Sequence, residues 1–212
     1  MKSVYFISGL GADKRIFSAL DLSYCDPHFV EWITPEIKEP LQQYAKRLRQ
    51  TIPEENPLII GMSFGGMLAA EMARADLGVK AIIISSNKSS KEFPAYLRIG
   101  KYFPIYRWLP FSFLKRSHFL YSKFFGVKSK EQKKVFHQIL EDSDPHFITW
   151  AIWSILHWKS EDISANIIHI HGTSDILLPL RFVKPDYVIK KGTHVMTMER
   201  HDEVSALLKK LI

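Results

Sequence analysis

The 212-residue sequence holds a single cysteine, Cys25, so no intrachain disulfide can form and nothing asks for an oxidising compartment. A small apolar filler is the expected role of that residue. Long apolar runs are missing as well. None approaches the roughly 18 residues that a transmembrane helix requires, and the run Val4 to Ile7 behind Lys2 is too short for a secretory signal core. The cytoplasm is therefore the default location. There is no internal repeat, no low-complexity linker, no cluster of metal-ligating residues and no dinucleotide fingerprint, so no metal or cofactor is implied.

What is present is the composition of a globular domain, 46% hydrophobic and 24% charged. A chain of this length is most economically one core, because two would each be small. The net charge of +7 is unevenly spread. Residues 88 to 134 carry twelve Lys and Arg against the two acids Glu92 and Glu131, a local excess of +10, which leaves −3 for the rest.

Short β-branched or aromatic runs alternate with helical patterns, the order expected of a parallel sheet covered by helices. Strands are predicted at Val4 to Ser8, Phe29 to Ile33, Leu58 to Gly61, Ala81 to Ser85, Ile167 to His171 and Tyr187 to Ile189. Helices are predicted near Lys14 to Leu20 behind an Asp13 cap, from Pro40 through Leu41, Tyr44, Ala45 and Leu48, over Phe64 to Ala75, and from about Asp202 to Leu211. Between the fourth and fifth strands, residues 88–160 are far too long for a simple connection and must hold helices of their own. Its last part, His146 to Trp158, is apolar nearly all round, which predicts a helix buried on most sides. For Trp150, Trp153 and Trp158 core packing is favoured over a role in a pocket.

Gly61-Met62-Ser63-Phe64-Gly65 places a serine between glycines, as a nucleophile elbow requires. A serine at so tight a turn adopts a strained backbone, and side chains two residues away on either side would collide. With glycine at roughly 7% of positions in proteins, the pentapeptide alone is weak evidence. Its context strengthens it: Leu58-Ile59-Ile60 supplies a strand before it and Gly66-Met67-Leu68-Ala69-Ala70 a helix after it. The amides at that helix start would also favour negative charge nearby.

A neutral hydroxyl is a poor nucleophile, so a base must take its proton and an acid must orient that base. His194, in the turn Lys191-Gly192-Thr193-His194 after the last strand, is the favoured base. His169 and His171 lie on a strand and read as packing or hydrogen-bonding residues; His118, His137, His146 and His157 fall in the insert, and His201 sits at the start of the last helix. Asp175, past the end of the fifth strand, is the favoured acid. Asp186 borders the start of a strand and Asp202 looks like a helix-start residue. The oxyanion donors would be the backbone N–H of Phe64 and that of Leu10, in the loop Ser8-Gly9-Leu10-Gly11 whose glycines Gly9 and Gly11 permit a tight turn.

Together these residues resemble the α/β-hydrolase superfamily. The resemblance in element order covers residues 1–87 and 161–212, which implies a mostly parallel six-stranded sheet flanked by helices, without the first two strands of the standard sheet. Residues 88–160 fall where that superfamily commonly carries a helical cap. Many relatives have a histidine before the first glycine of the oxyanion loop, where this chain has Ser8. The resemblance implies a serine hydrolase acting on an ester or related acyl bond of a small, apolar substrate through an acyl-serine intermediate, without a cofactor. Two alternatives stand beside it: an acyltransferase on the same three residues, and a non-catalytic module. The second rests on the basic insert with its interleaved Phe103, Tyr106, Trp108, Phe111 and Phe113, which would suit weak association with an anionic membrane surface or an acidic ligand. A solvated basic face over an aromatic-packed cap is the favoured reading of that insert. Nucleic-acid binding is not expected, since no recognition motif accompanies the charge. The oligomeric state is not legible.

Overall fold

In the computed structural model, residues 1–94, 97, 100, 102, 125–127, 129–160 and 162–212 are described. The aromatic residues Phe103, Tyr106, Trp108, Phe111 and Phe113, together with His118, Arg98, Lys101, Arg107, Lys115, Arg116, Lys123 and Lys128, lie outside them.

Six parallel strands form one sheet: β1 (Ser3–Ile7), β2 (Asp26–Phe29), β3 (Leu58–Met62), β4 (Lys80–Ile84), β5 (Ile167–Gly172) and β6 (Tyr187–Ile189), in the order β2-β1-β3-β4-β5-β6. The register places Leu58 of β3 between Val4 of β1 and Lys80 of β4. Because successive side chains point to opposite faces, each inner strand feeds two separate cores. Tyr5, Ile7, Ile59, Ala81 and Ile83 face one side, where they meet helices α1 (Leu41–Arg49), α2 (Phe64–Ala75) and, through Phe147, Trp150 and Ala151, α4 (Pro145–His157). Val4, Phe6, Ile60, Ile82 and Ile84 face the other. There they pack against Phe136 of α3 (Lys130–Asp142), Met196 and Met198 of α5 (Met196–Glu199), and Val204 and Leu208 of α6 (His201–Leu211). Each fully buried Ile or Leu of these layers contributes about 1.5–3 kcal/mol relative to exposure.

The helices begin and end for local reasons. Pro40 precedes α1, whose Leu41, Tyr44, Ala45 and Leu48 form its buried stripe. Ser129 and Gln132 close a capping box on α3. The Asp144 side chain accepts the His146 N–H at 2.9 Å, with Pro145 at the first helical position of α4. Glycines and alanines bury the face of α2 that lies on the sheet. Cys25 is buried among apolar residues of the second core. Among the described residues no helix is long and apolar enough to cross a membrane.

Two expectations need correction. The second strand is Asp26–Phe29, not Phe29 to Ile33. It lies at the sheet edge, which tolerates Pro27, and the apolar run after it leaves the sheet so that Trp32 can pack on Phe64 and Phe147. The expected helix near Lys14 is a single 3-10 turn, Lys14–Phe17, although Asp13 does cap it by accepting the Arg15 N–H at 2.9 Å.

The segment between β4 and β5 holds α3 and α4 on opposite sides of the sheet's C-terminal end. Its two ends are fastened side by side: the Ser90 N–H donates to the Ser160 carbonyl at 2.8 Å, and the Ser160 N–H to Ser90 Oγ at 3.0 Å. Below that neck, buried Glu71 of α2 accepts the indole N–H of Trp158 and pairs with Arg74 at 2.8 Å. Arg74 in turn donates to the carbonyls of Lys88 and Asp162.

Candidate active site

Ser63 stands between the central strand β3 and α2 with φ 51° and ψ −117°, in the half of conformational space that side chains other than glycine avoid. Its N–H donates to the Ile84 carbonyl at 2.9 Å, and its own carbonyl accepts from Gly66 and Met67, which holds the turn. A Cβ on Gly61 would fall 2.3 Å from the Gly65 carbonyl oxygen, and one on Gly65 would fall 2.2 Å from that of Ser8. Both positions therefore need glycine, for the steric reason the pentapeptide suggested.

His194 and Asp175 arrive from the two loops that follow β6 and β5. These loops are stitched together: Thr173 N–H donates to the Ile189 carbonyl at 3.1 Å, Ser174 N–H to the Gly192 carbonyl at 2.9 Å, and Lys191 N–H to Thr173 Oγ1 at 2.8 Å. His194 Nδ1 lies 2.8 Å from Asp175 Oδ2, and His194 Nε2 lies 2.9 Å from Ser63 Oγ. Because the carboxylate only accepts, Nδ1 carries the ring proton and Nε2 presents a lone pair to the serine hydroxyl. The edge of Phe125 packs on the His194 ring at 5.4 Å.

Asp175 is 4% exposed. Its second oxygen accepts the N–H groups of Leu177 and Leu178 at 3.0 and 2.8 Å. Burial by itself would raise this carboxyl, but His194, the Leu178 N–H and His171 together hold it below the usual carboxylate range. Of the acids set aside, Asp186 accepts from the His169 N–H and the Lys88 ammonium, both at 2.8 Å, and Asp202 lies in the first turn of α6.

The loop after β1 is pinned from three sides. Ser8 Oγ donates to the Ala12 carbonyl at 2.7 Å, the Trp32 indole donates to the same oxygen at 3.0 Å, and Ser143 Oγ donates to the Gly11 carbonyl. Gly11 has φ +67°, and a Cβ on Gly9 would lie 3.3 Å from that of Ser63, so the loop runs directly beside the elbow. Neither the Leu10 N–H nor the Phe64 N–H has an acceptor among the described residues.

Above Ser63 opens a cavity of about 240 Å³. Its walls come from the Gly9 to Ala12 loop, Phe64, Phe136, Ile139, Ile152, Ile155 and Leu156, among others, and among the described residues that line it Ser63 and His194 have the only polar side chains. Phe125, midway along the insert, and the cavity-facing residues of α3 and α4 were not singled out from the sequence; the apolar-all-round pattern of α4 was the one signal. Trp150 and Trp158 are buried in the core and Trp153 packs against it. Among the described residues no group of three or more His, Cys, Asp or Glu side chains could hold a metal ion.

Neither a protein-family model nor a curated protein sequence matches the chain. Solved structures do. A thermophilic esterase from Thermogutta terrifontis shares 14% identity with a TM-score of 0.71, covering 100% of this chain and 89% of that one. An esterase from Exiguobacterium antarcticum shares 14% with a TM-score of 0.72, over 100% and 91%. The enol-lactonase from Burkholderia xenovorans shares 12% with a TM-score of 0.74, over 99% and 90%. Identities this low speak for architecture alone, and together with the sheet order and the Ser63 elbow they show that the chain has the α/β-hydrolase fold.

Proposed function

We propose that the chain is a serine hydrolase that cleaves an ester or related acyl bond of a small, apolar substrate through an acyl-Ser63 intermediate. The observation that carries this reading is the hydrogen-bonded run Ser63–His194–Asp175 opening on a cavity whose other described lining residues are apolar. Solved neighbours named as esterases and as an enol-lactonase are in keeping with it. Residues 1–87 and 161–212 would form the catalytic core and 88–160 a cap that supplies walls of the cavity.

In this reading Ser63 Oγ attacks the acyl carbonyl carbon while His194 Nε2 takes the hydroxyl proton. The oxygen of the tetrahedral intermediate gathers negative charge beside the N–H groups of Leu10 and Phe64, which have no other acceptor among the described residues, and beside the N-terminus of α2. Collapse breaks the bond to the leaving alcohol, which receives the proton from His194. Water then attacks the acyl-serine with His194 again as base, and the carboxylic acid departs. Asp175 stays ionised throughout and stabilises the imidazolium.

Purified protein offered short p-nitrophenyl esters should turn them over, and a fluorophosphonate probe should label Ser63. Folded protein showing neither turnover nor labelling would end this reading.

A further inference from the structure

Behind Asp175 lies a pair of buried histidines that the proposed chemistry does not use. His169 and His171, two residues apart on β5 and therefore on the same face, are both 0% exposed. His171 Nε2 is 2.7 Å from the Leu178 carbonyl, and His171 Nδ1 is 3.0 Å from His169 Nε2. We propose that His171 is a positioning residue for Asp175: locked by His169 as the neutral Nε2–H tautomer, it grips the Leu178 carbonyl and so fixes the loop that presents the carboxylate to His194. The inference rests on the reading of Asp175 as the acid of a serine hydrolase.

The tautomers follow from the partners. A carbonyl only accepts, so His171 Nε2 carries a proton. Between the two rings one nitrogen must donate. If His171 is neutral, His169 Nε2–H donates and the bare atom is His169 Nδ1, which is buried with no partner among the described residues. If instead His171 were an imidazolium, that buried atom would be an unpaired N–H beside a buried charge, a costlier arrangement. Burial, together with His171 and Lys88, pushes His169 down to about 2. Burial also pushes His171 down, with His194 acting in the same sense, against the opposing pull of Asp175 and the Leu178 carbonyl. Among the described residues the charged or titratable groups around the pair are Asp175 and His194 at His171, and Lys88 and Asp186 at His169.

The Leu178 peptide transmits the effect, because its carbonyl is held by His171 while its N–H donates to Asp175 Oδ1 at 2.8 Å. His171 Nε2 itself stands 3.6 Å from Asp175 Oδ2, too far for a hydrogen bond but close enough that its charge would matter. A cation there would compete with His194 for the oxygen that stabilises the imidazolium formed during attack. A neutral ring keeps the geometry without that competition.

The test joins a measurement that needs no activity to one that does. Nitrogen-15 histidine NMR of the wild-type protein should find His169 and His171 neutral, with the proton on Nε2, from pH 5 to 8. His171→Leu should lower kcat on a p-nitrophenyl ester roughly 10- to 100-fold with little change in KM, and should displace the low-pH limb of the profile. His171→Gln keeps an N–H donor near the Nε2 position and should recover most of the loss. The proposal is overturned if His171 titrates within that range, if its proton sits on Nδ1, or if His171→Leu leaves kcat and profile unchanged. Should His171→Leu not fold, the NMR result and a His171→Gln variant as impaired as a Ser63→Ala one would each still decide against it. Absent wild-type turnover and absent Ser63 labelling would count against the serine-hydrolase reading, whereas NMR speaks to the histidine pair alone.

Discussion

At the scale of single residues, Ser63 holds a backbone conformation that its side chain disfavours. Strain of this kind stores about 1–3 kcal/mol, so Ser63→Gly should stabilise the protein while removing the proposed nucleophile. A gain of about 1 kcal/mol would raise Tm by roughly 2–4 °C for a chain of this size, readable by calorimetry. Ser63→Ala retains the strain and should show no such gain, and both variants should lose esterase activity by about 10⁴-fold or more. Asp175→Asn is expected to cost about 10⁴-fold in kcat, because the amide can hold His194 in the wrong tautomer. Much of this site was legible. The elbow announces itself through glycines whose Cβ positions are occupied by backbone, and the chain order of serine, acid and histidine singled out three side chains that do meet. The role of His171 was not legible, since its partner Leu178 comes round a loop whose path the sequence does not reveal.

Among the elements, α2 was readable to its ends because strand, turn and small-residue face all agree, while β2 was displaced by an apolar run that serves a helix and not the sheet. Helix α4 is apolar on almost every side because it has two apolar neighbours: Phe147, Trp150 and Ala151 turn to the core, and Ile152, Ile155 and Leu156 to the cavity. It is anchored by the Trp150 indole on the Glu39 carbonyl and, just past its end, by Trp158 on Glu71. Glu71→Ala would leave the Trp158 N–H and Arg74 without their buried acceptor. A loss of roughly 2–4 kcal/mol in urea unfolding is expected, with Glu71→Gln milder because an oxygen remains for the indole.

For the whole molecule, the buried histidines set how stability responds to acid. His169 is depressed to about 2 in the fold, whereas an unfolded chain protonates histidine near 6.5. The unfolded state therefore takes up the proton first, so this contribution is complete above about pH 6.5 and is lost on the way down, at about 1.4 kcal/mol per pH unit. Asp175, held below the ordinary carboxylate range, adds a further loss only as pH falls through about 4. Urea midpoints measured from pH 7.5 to 5 should fall accordingly, and the decline should be shallower in His169→Gln. Overall architecture was readable because six short strands alternate with helices, whereas the 88–160 insert was not, since its aromatics follow no single period.

Sheet order carries one more consequence, in time instead of space. Ser63 and His194 are 131 residues apart in the chain, and β5 and β6 join only at the far edge of the sheet. Synthesis from the N-terminus completes the elbow well before its partner His194 has been translated. In the proposed mechanism Ser63 would thus emerge from the ribosome chemically dormant, and become reactive only when residues 167–194 dock. Recovery of esterase activity in a refolding experiment would accordingly clock that final docking, and should lag behind the return of helical signal.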